Sequence, residues 1–542
     1  MKKLLFATVL TAVSIGSFAA PAAKPAAKPA AKPAVSAKAA VSAKPAFDPL
    51  YAKSTTVKQL TWFDRFLFED WKRRKLPIPL EASDHVLVRR VYLDLLGRLP
   101  TPQEAEDFVK STAKNKFERL VDRLLADERF AAYWTMHWCD ALRVKSEFPI
   151  NLWPNAVYGY QRRIYTFLYR NESYDRFLYS LLTSRGSNFR VPEVNFYRAT
   201  ADRTPAGIAK VAMLTVFGIR YEKLPAAQQK NIAEFFEDVQ FKSTKEWKEE
   251  IVYLKQFPER NLTLMNGKKV KIKAESDARK AFASYALHGP GRRQMAEAVV
   301  NRAWHWFFGS ALTPVGDDLA GAKPVNQRLL NGLVQNFLRS GCNFKTLCRY
   351  IVTSAAYRTS SLQHGDIKAM NAAFAAYPIR RLEAEVLDDA IRDITNSDGS
   401  YASVIPEPFS FLPKNMRTVD IADGSISSSF LILFGRPVRD SGTLDERNDK
   451  ITPKQRLFLF NSGQLFNKLN RIVDREDMAP LDPEKRLDRY YWLFYSRPPM
   501  AHEKKILMAL YDKRKINWQH RRNFWKNLGW IMVNSAEFLH RH

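Results

Sequence analysis

Cysteine is scarce in this 542-residue chain, which has three, at positions 139, 342 and 348. Three thiols do not form a disulfide framework, and pairing of Cys342 with Cys348 stays open. The chain also lacks the motifs GxxxxGK[ST], GxGxxG, GxSxG, HExxH and CxxC. These absences exclude the phosphate-loop, dinucleotide, serine-hydrolase, zinc-protease and dithiol classes that those motifs mark.

Long apolar runs are missing after the first 19 residues, so no membrane-spanning helix is expected. Residues 1–19 have a basic start, an apolar run and small residues up to Ala19, the pattern of a secretory signal peptide. Residues 20–46 repeat Ala, Pro and Lys and predict an extended linker. The sequence therefore predicts an exported protein of the periplasm or cell envelope.

Positive charge dominates the chain, with 85 Lys and Arg against 56 Asp and Glu, a net charge of +29. Without the two lysines of the signal peptide and the five of the linker, the remainder still carries +22. This excess favours anionic envelope polymers or glycans, or another envelope protein, as partners. The alternative is that the charge serves solubility alone. Nucleic acid is an unlikely partner for an exported protein.

Residues 83–143 predict four short helices with well-marked ends. Asp84 and Asp127 are candidate caps, Gly97 suits a left-handed stop, and Thr101 to Glu104 form a capping box with proline at the first helical position. The third helix carries its apolar residues at i, i+3, i+4, i+7 and i+8 from Phe117. Before this module, residues 57–80 are predicted to form an amphipathic first helix.

The predicted fold class is mainly α, a multi-helical two-domain protein with a small β-hairpin insertion. The N-terminal helical domain covers 57–221, the insertion 222–289 and the C-terminal helical domain 290–542. The insertion is placed by Asn266-Gly267 between alternating residues, a signal for a type I′ hairpin turn. Residues 397–429 are predicted to form a long loop.

One apolar pattern recurs in the predicted helices. Counted from its first aromatic residue, it has apolar residues at +3, +7 and +8, Ser or Asp at +10 and an aromatic at +13. It begins at Phe117, Phe344 and Trp525, and at Tyr174 without the last aromatic. Residues 487–539 are therefore predicted to repeat the arrangement of residues 86–131. Chance likeness between amphipathic helices is the alternative.

Polar residues embedded in apolar helices are the candidates for a ligand-binding site. Guanidinium–carboxylate groups of this kind either clamp an anionic ligand or form buried structural pairs that fix helix packing. No metal site is predicted, because two adjacent aspartates fall short of a calcium loop, and catalytic residues remain unknown. The candidates are Asn301, Arg302, Asp317, Asp318, Arg380, Arg381, Glu383, Glu385, Arg436 and Arg439. Four of them are expected to lie close together: Arg302, Asp317, Arg381 and Glu383.

The run RRVYLDLLGRLPTPQEAEDF (89–108) and the helix after it resemble the N-terminal domain of a large secreted planctomycete-type family. That family pairs two domains of unknown function, the first known as a planctomycete cytochrome-like domain. Residues 291–321, 344–361, 377–391, 434–442 and 527–542 resemble its C-terminal companion domain. The resemblance covers most of residues 60–542 and brings no established catalytic residues.

Two cysteine motifs that relatives carry are absent here. Relatives have CxxCH where this chain has residues 214–236, without Cys or His. Relatives also tend to carry CxC after an RPxR segment, whereas RPVRDSGTLDER (436–447) has no Cys here. Covalent haem attachment needs the two thiols and the histidine, so no cofactor is predicted and the purified protein is expected to be colourless. His137 and His305 lie on tryptophan-rich helices and are interpreted as core or rim residues.

The sequence as a whole favours an exported binding or scaffold component of the envelope with anionic partners. One alternative is a secreted enzyme acting on anionic polysaccharide, with Asp317, Asp318, Glu383 and Glu385 as its nearest carboxylates. The other is a degenerate subunit of a redox complex that has lost its haem.

Overall fold

The chain enters the fold through two short strands and a helix. The computed structural model describes residues 47–513 and 517–542, so the predicted signal peptide and linker lie outside the described residues. Strands β1, Ala52–Thr56, and β2, Leu80–Ala82, pair antiparallel around α1, Asp64–Arg73. The predicted first helix is thus shorter at both ends. The carboxylate of Asp64 accepts the N–H groups of the two residues Leu60 and Thr61, which fixes the turn before the helix.

The opening module (residues 83–141) has the four predicted helices. They are α2 Asp84–Leu96, α3 Pro102–Lys110, α4 Lys116–Ala126 and α5 Glu128–Ala141. The capping box at Thr101, the left-handed stop at Gly97 and the cap at Asp127 are confirmed. Ser83, rather than Asp84, caps α2, because the Asp84 carboxylate pairs with Lys53 and Lys116 instead.

Further helices and small sheets make up the middle of the chain. These elements are α6 Pro154–Tyr169, α7 Tyr174–Thr183, β3 Gly186–Ser187, α8 Asn195–Arg198, α9 Pro205–Ala212, α10 Ala226–Ala233, β4 Val239–Ser243, β5 Glu250–Leu254, β6 Arg260–Thr263 and β7 Lys269–Ile272. Strands β3, β5 and β4 form an antiparallel sheet, and β6 pairs with β7. The region thus has a second sheet besides the predicted hairpin.

The β6–β7 hairpin lies where the sequence places it, but its turn is not type I′. Gly267 has φ +81°, whereas Asn266 is not in the left-handed region. The N–H of Gly267 donates to the carbonyl of Leu264, and Leu264 in turn donates to the carbonyl of Lys268. The turn is therefore a type I turn followed by a bulge at glycine, the common form of a longer hairpin loop.

The second half is helical apart from one short pair of strands. It comprises α11 Ala278–Leu287, α12 Arg292–Phe308, α13 Gln327–Arg339, α14 Phe344–Thr353, α15 Ala355–Arg358, α16 Ile367–Ala372, β8 Arg380–Arg381, α17 Ala384–Thr395, α18 Ser429–Leu433, α19 Pro453–Asn461, α20 Gly463–Ile472, α21 Pro483–Tyr495, α22 Ala501–Lys513, α23 Trp518–Val533, α24 Ala536–Leu539 and β9 His540–Arg541. Residues 396–428 form the long irregular segment that the sequence predicts.

The mainly α fold class is confirmed: the described residues contain 24 α-helices, and their sheets have two or three strands. These residues belong to one compact unit with a continuous apolar core. Strand β9, at the end of the chain, pairs antiparallel with β8 and so anchors the closing module (residues 482–541) beside Arg380 and Arg381. Within residues 47–513 and 517–542, no helix combines the length and the apolarity needed to cross a membrane.

Candidate functional site

A cavity of about 280 Å³ lies where α5, α12, β8 and the segment 437–450 meet. We call it the arginine cavity. Helix α5 contributes His137 and Asp140, one turn apart, and α12 contributes His305. Its walls are formed by His137, Asp140, Ala141, His305, Trp306, Gly309, Arg380, Arg381, Glu383, Pro437, Gly442, Thr443, Leu444, Asp445, Arg447, Asn448, Asp449 and Lys450.

Arg541 holds the first carboxylate of the cavity. Its Nη1 donates to Oε1 of Glu383 at 2.6 Å, and its Nε lies 2.9 Å from Oδ1 of Asp94. Its Nη2 donates to the hydroxyl of Tyr133 at 3.0 Å. Burial by itself raises the pKa of Glu383, but the charge of Arg541 outweighs burial and holds that pKa well below its usual range. Glu383 is therefore an anion at any physiological pH.

Arg447 connects the other two carboxylates. Its Nη1 donates to Glu385 at 2.7 Å and its Nη2 to Asp140 at 2.6 Å. Asp140 also accepts from Nε of Arg439 at 2.8 Å, and Nε of Arg436 lies 3.3 Å from Glu385. Burial raises the pKa of Glu385, yet Arg447 and Arg436 lower it to about 2. Glu385 is thereby fixed as an anion behind the cavity, and Asp140 is held in the cavity wall between Arg439 and Arg447.

Positive charge exceeds negative charge in this cluster. Six guanidinium groups face four carboxylates, a surplus of two: Arg380, Arg381, Arg436, Arg439, Arg447 and Arg541 against Asp94, Asp140, Glu383 and Glu385. The exposed rim adds Asp445, Asp449 and Lys450, whose charges water and salt screen. The buried surplus is the electrostatic feature that an anionic ligand would neutralise.

Arg381 is the clearest source of that surplus. Its Nη atoms donate to the carbonyl oxygens of Leu382, Phe434 and Asn448, its Nε has no acceptor, and it has no carboxylate within 4.0 Å in the described chain. Burial lowers its pKa, as expected for a guanidinium withdrawn from water. The positive charge of Arg380 is better compensated than that of Arg381, because Nη2 of Arg380 lies 3.7 Å from Oδ1 of Asp94.

Two neutral histidines face the cavity. His137 is 2% exposed, and neither ring nitrogen has a hydrogen-bond partner among the described residues. Burial and then the charge of Arg447 lower its pKa to about 4. Burial and then Arg380 lower the pKa of His305 to about 4 as well. At neutral pH each ring therefore offers one N–H donor and one lone-pair acceptor.

The ten sequence-predicted residues divide into three sets. Arg380, Arg381 and Glu383 line the cavity, and Glu385, Arg436 and Arg439 lie behind it in the ion-pair network. The remaining four residues form their hydrogen bonds and ion pairs elsewhere in the fold. They are Asn301, Arg302, Asp317 and Asp318. Arg302, Asp317, Arg381 and Glu383 are all buried, but no ion pair joins any two of these four described side chains.

Asn301 and Arg302 on α12 serve packing. The amide of Asn301 bonds Thr313 and the carbonyl of Gly316. Arg302 donates to the carbonyl oxygens of Leu214 and Thr215 and lies over the ring of Trp138. The polar groups of both residues therefore hold neighbouring segments of the chain in place and do not face the arginine cavity.

Asp317 and Asp318 hold the segment after α12. Asp317 accepts from Arg220 at 3.0 Å and from the backbone N–H of Leu444 at 2.9 Å, while Asp318 pairs with Lys223. The contact with Leu444 fixes one residue of the cavity wall. Both oxygens of Asp317 are thus bonded, whereas Oδ1 of Asp318 is buried without a hydrogen-bond partner in the described chain. The described residues contain no group of three or more potential metal ligands.

Haem does not fit the residues present. Covalent attachment needs two cysteines three positions apart. The chain has Cys139, Cys342 and Cys348, all of them buried free thiols, and residues 214–236 contain none. Burial raises the pKa of each of the three thiols.

Sequence reasoning undervalued His137 and missed Asp94, Asp140, Arg447 and Arg541 as members of the site. The i, i+3 spacing of His137 and Asp140 on one helix is a local signal that sequence alone provides. Arg541 gives no such signal, because its partners Asp94 and Glu383 are 447 and 158 positions away in the chain.

Two family models match the chain. One, PSCyt2, a protein of unknown function (DUF1549), matches residues 62–217, and the other, PSD1, a protein of unknown function (DUF1553), matches residues 278–511. Searches of the curated proteins and of the solved structures found no match. The two matched domains occur here in the order that the resemblance requires. The chain therefore belongs to the planctomycete-type two-domain family, whose cytochrome-like N-terminal domain and companion C-terminal domain are both of unknown function.

Proposed function

We propose that this protein is an exported envelope component that binds an anionic glycan, with one acidic sugar residue seated in the arginine cavity. The carrying observation is the buried guanidinium of Arg381, which bonds three carbonyl oxygens and has no carboxylate within 4.0 Å in the described chain. A buried charge without a counter-ion is costly, and a ligand carboxylate or sulfate supplies the missing partner.

Three further features support a small ligand with hydroxyl groups. The cavity of about 280 Å³ lies at the lower end of the range for small-molecule sites, so it suits one residue rather than a chain. His137 has two unsatisfied ring nitrogens, one donor and one acceptor, which match sugar hydroxyls. Trp306 supplies an apolar wall.

The geometry favours binding over glycoside hydrolysis. Hydrolysis by paired carboxyl groups requires one of them to be protonated near neutral pH. Glu383 and Glu385 are instead held as anions by Arg541 and Arg447. No described contact favours the alternative of a redox-complex subunit.

Calorimetric titration of the purified protein with glucuronate, galacturonate and neutral galactose tests the proposal. We expect both uronates to bind and galactose to bind at least about tenfold more weakly, since one charge-assisted pair is worth about 1.5–3 kcal/mol. Replacing Arg381 with Met is expected to abolish uronate binding, and His137→Phe to weaken it.

Exposed Arg339 on α13 provides the matched control, because Arg339→Met removes one positive charge away from the cavity. Circular dichroism and thermal melts identify a variant that fails to fold, and His137→Phe remains informative if Arg381→Met does. Equal binding of uronate and galactose, or unchanged affinity in folded variants of both cavity residues, would refute the proposal.

A further inference from the structure

A second concave surface, about 930 Å³ in volume, lies between the opening module and a wall formed by the end of α17, Arg417, Arg475 and helix α21, and it shares no lining residue with the arginine cavity. We call it the basic cleft. We infer that the basic cleft binds a stretch of linear anionic polysaccharide. This goes beyond the proposed function, because a different surface would take a chain of acidic residues rather than a single one.

The basic cleft has one strongly positive wall from the opening module. The end of α2, together with α3, α4 and the start of α5, places Arg98, Lys116, Arg119, Arg123 and Arg129 along it. Arg119 is exposed and has no ion pair or side-chain hydrogen bond among the described residues. Arg123, also exposed, bonds the hydroxyl of Tyr92 at 2.7 Å and has no carboxylate partner in the described chain.

The opposite wall is also basic. Arg417, Arg475 and Arg489 line it, so the cleft has eight cationic side chains in all. Nη2 of Arg417 and Nε of Arg489 are buried atoms without a hydrogen-bond partner in the described chain. Two polar groups on this wall are thus left unsatisfied by the protein, as a binding surface requires and a packed core does not.

The cleft has three acidic side chains, and arginine partners neutralise two of them. Glu104 accepts from Arg98 at 2.7 Å, and Asp393 accepts from Arg417 at 3.3 Å. Burial raises the pKa of Glu104, but the bond to Arg98 lowers it to about 2. Asp107 is the third. The lining residues therefore carry a net charge of +5. Aspartates outside the lining pair with four of the cations, Lys116, Arg129, Arg475 and Arg489, so that Arg119 and Arg123 are the two lining cations without an acidic partner in the described chain.

The shape of the surface suits a chain. Arg475 lines the basic cleft and donates to the carbonyl oxygens of Asp393 and Ile394, at the end of α17. Arg471 donates to the carbonyl of Asn396 and lines a second recess of about 650 Å³. Both recesses therefore have an arginine anchored at the C-terminal end of α17.

The lining favours a glycan over single-stranded nucleic acid. Proteins that bind single strands combine a basic groove with aromatic side chains on which the bases stack. The single aromatic residue among the lining residues of the basic cleft is Phe108, which is 7% exposed and packs against Phe117 in the core. Carboxylate or sulfate groups repeated along a sugar chain match the spaced guanidinium groups instead.

Affinity measurements with four probes test this inference: polygalacturonate, dextran sulfate, uncharged dextran and a single-stranded oligonucleotide. We expect the two acidic glycans to bind, with affinity falling about tenfold or more as salt rises from about 50 to about 200 mM, because several counterions are released. Arg119→Glu with Arg123→Glu is expected to lower that affinity about tenfold or more at low salt.

Lys268→Glu with Lys269→Glu is the matched control, since it makes the same change in net charge on the exposed turn of the β6–β7 hairpin. Equal losses in the two double variants would refute the inference and leave only attraction by overall charge. Tighter binding of the oligonucleotide, or equal binding of dextran, would refute the ligand class. Uronate monomers test the arginine cavity separately, because the cleft variant leaves that site intact.

Discussion

The first helices of the opening and closing modules end in the same way with different residues. Helix α2 stops at Gly97 with φ +60°, and α21 stops at Ser496 with φ +58°. The next residue in each module is an arginine that donates to the following carbonyl and to a glutamate six positions on. These pairs are Arg98 with Glu104 and Arg497 with Glu503.

The second joint is also shared. Helix α4 passes into α5 at Asp127, and α23 passes into α24 at Ser535; both residues are extended and cap the helix that comes next. Ser354 makes the same joint between α14 and α15. The apolar positions counted from Phe117, Phe344 and Trp525 are all buried. The joint and the buried apolar positions are thus alike in these segments, while a repeat of the whole arrangement of residues 86–131 in residues 487–539 stays a prediction.

The modules differ beyond that joint. Helix α5 continues to Ala141 and supplies His137 and Asp140, whereas α24 stops at Leu539 and the chain becomes strand β9. Counted from Asp127 and Ser535, Tyr133 and Arg541 occupy equivalent positions, and they bond each other. Arg541, beside the arginine cavity, and the cavity residues His137 and Asp140 thus belong to the two segments in which the modules differ.

The largest expected effect comes from removing the divergent end of the closing module. Arg541→Met leaves buried Glu383 without its ion-pair partner and leaves Asp94 with Arg380 alone, 3.7 Å away, so it should lower the free energy of unfolding by about 3–5 kcal/mol. Urea unfolding followed by tryptophan fluorescence measures it. The control is Arg522→Met on α23, whose pair with Asp474 is exposed and worth less than about 1 kcal/mol. Equal losses in the two variants would contradict the central role of Arg541.

The arginine joint of each module gives the next effect. Arg497 bonds both Glu503 and Glu537, whereas Arg98 bonds Glu104 alone among the described acids. Arg497→Met should therefore cost about 3 kcal/mol and Arg98→Met about half as much, because one variant strands two carboxylates and the other strands one. Urea unfolding of both variants measures the difference. A larger loss for Arg98→Met would reverse the comparison.

The free energy of unfolding should depend on pH through His137, which lies in the part of α5 that has no counterpart in the closing module. His137 has a folded pKa of about 4, below its ordinary value of 6.5. Between these values the unfolded chain binds a proton that the folded chain excludes, so stability falls as the pH falls from 6.5 to about 4. The total is up to about 3 kcal/mol.

His137→Phe should remove this contribution, seen as a smaller loss of stability between about pH 7 and about pH 4.5 in urea unfolding. The same substitution at exposed His288 is the control and should leave the pH profile unchanged. An identical profile for wild type and His137→Phe would mean that the histidine is accessible to protons in the fold.

The smallest expected changes in stability come from substitutions at the two residues in the left-handed region that end α2 and α21, Gly97 and Ser496. A Cβ at Gly97 would overlap the ring of Tyr133, so Gly97→Ala should cost about 1–3 kcal/mol. Ser496 already has a Cβ at the same φ, and its buried hydroxyl has no partner among the described residues. Ser496→Gly should therefore be neutral or stabilise by up to about 1 kcal/mol.

Gly463→Ala is the control for both substitutions, because no atom lies within 4 Å of the added Cβ. Thermal unfolding should place its melting temperature close to that of the wild type. A clear loss of stability in Ser496→Gly would indicate that the serine has a role which the joint itself does not require.

Signals that act over three or four residues were sufficient for much of the fold. The capping box at Thr101, the stop at Gly97, the cap at Asp127 and the stripe from Phe117 depend on neighbours along one helix, and each appears as expected. The repeat could be counted for the same reason. Family membership was evident from several such segments in the right order.

Partners far apart in the chain could not be assigned in that way. That charged residues at 302, 317, 381 and 383 are buried was foreseeable from their apolar surroundings, but their partners were not. A guanidinium has five donors and bonds whatever carboxylate or carbonyl the packing brings within reach. The ends of α1 and the turn at Gly267 also depended on bonds to flanking residues.

The sequence by itself determined a mainly helical, strongly basic chain with two copies of one joint, because charge, caps and apolar spacing are local properties. The tertiary structure alone decided that Arg541 meets Glu383 and Asp94, and that eight cations line one cleft beside the opening module. Those features depend on how helices that are hundreds of residues apart in the chain pack together. That packing is set by the balance between the cost of burying charges and the gain from pairing them, which exists only in the folded chain.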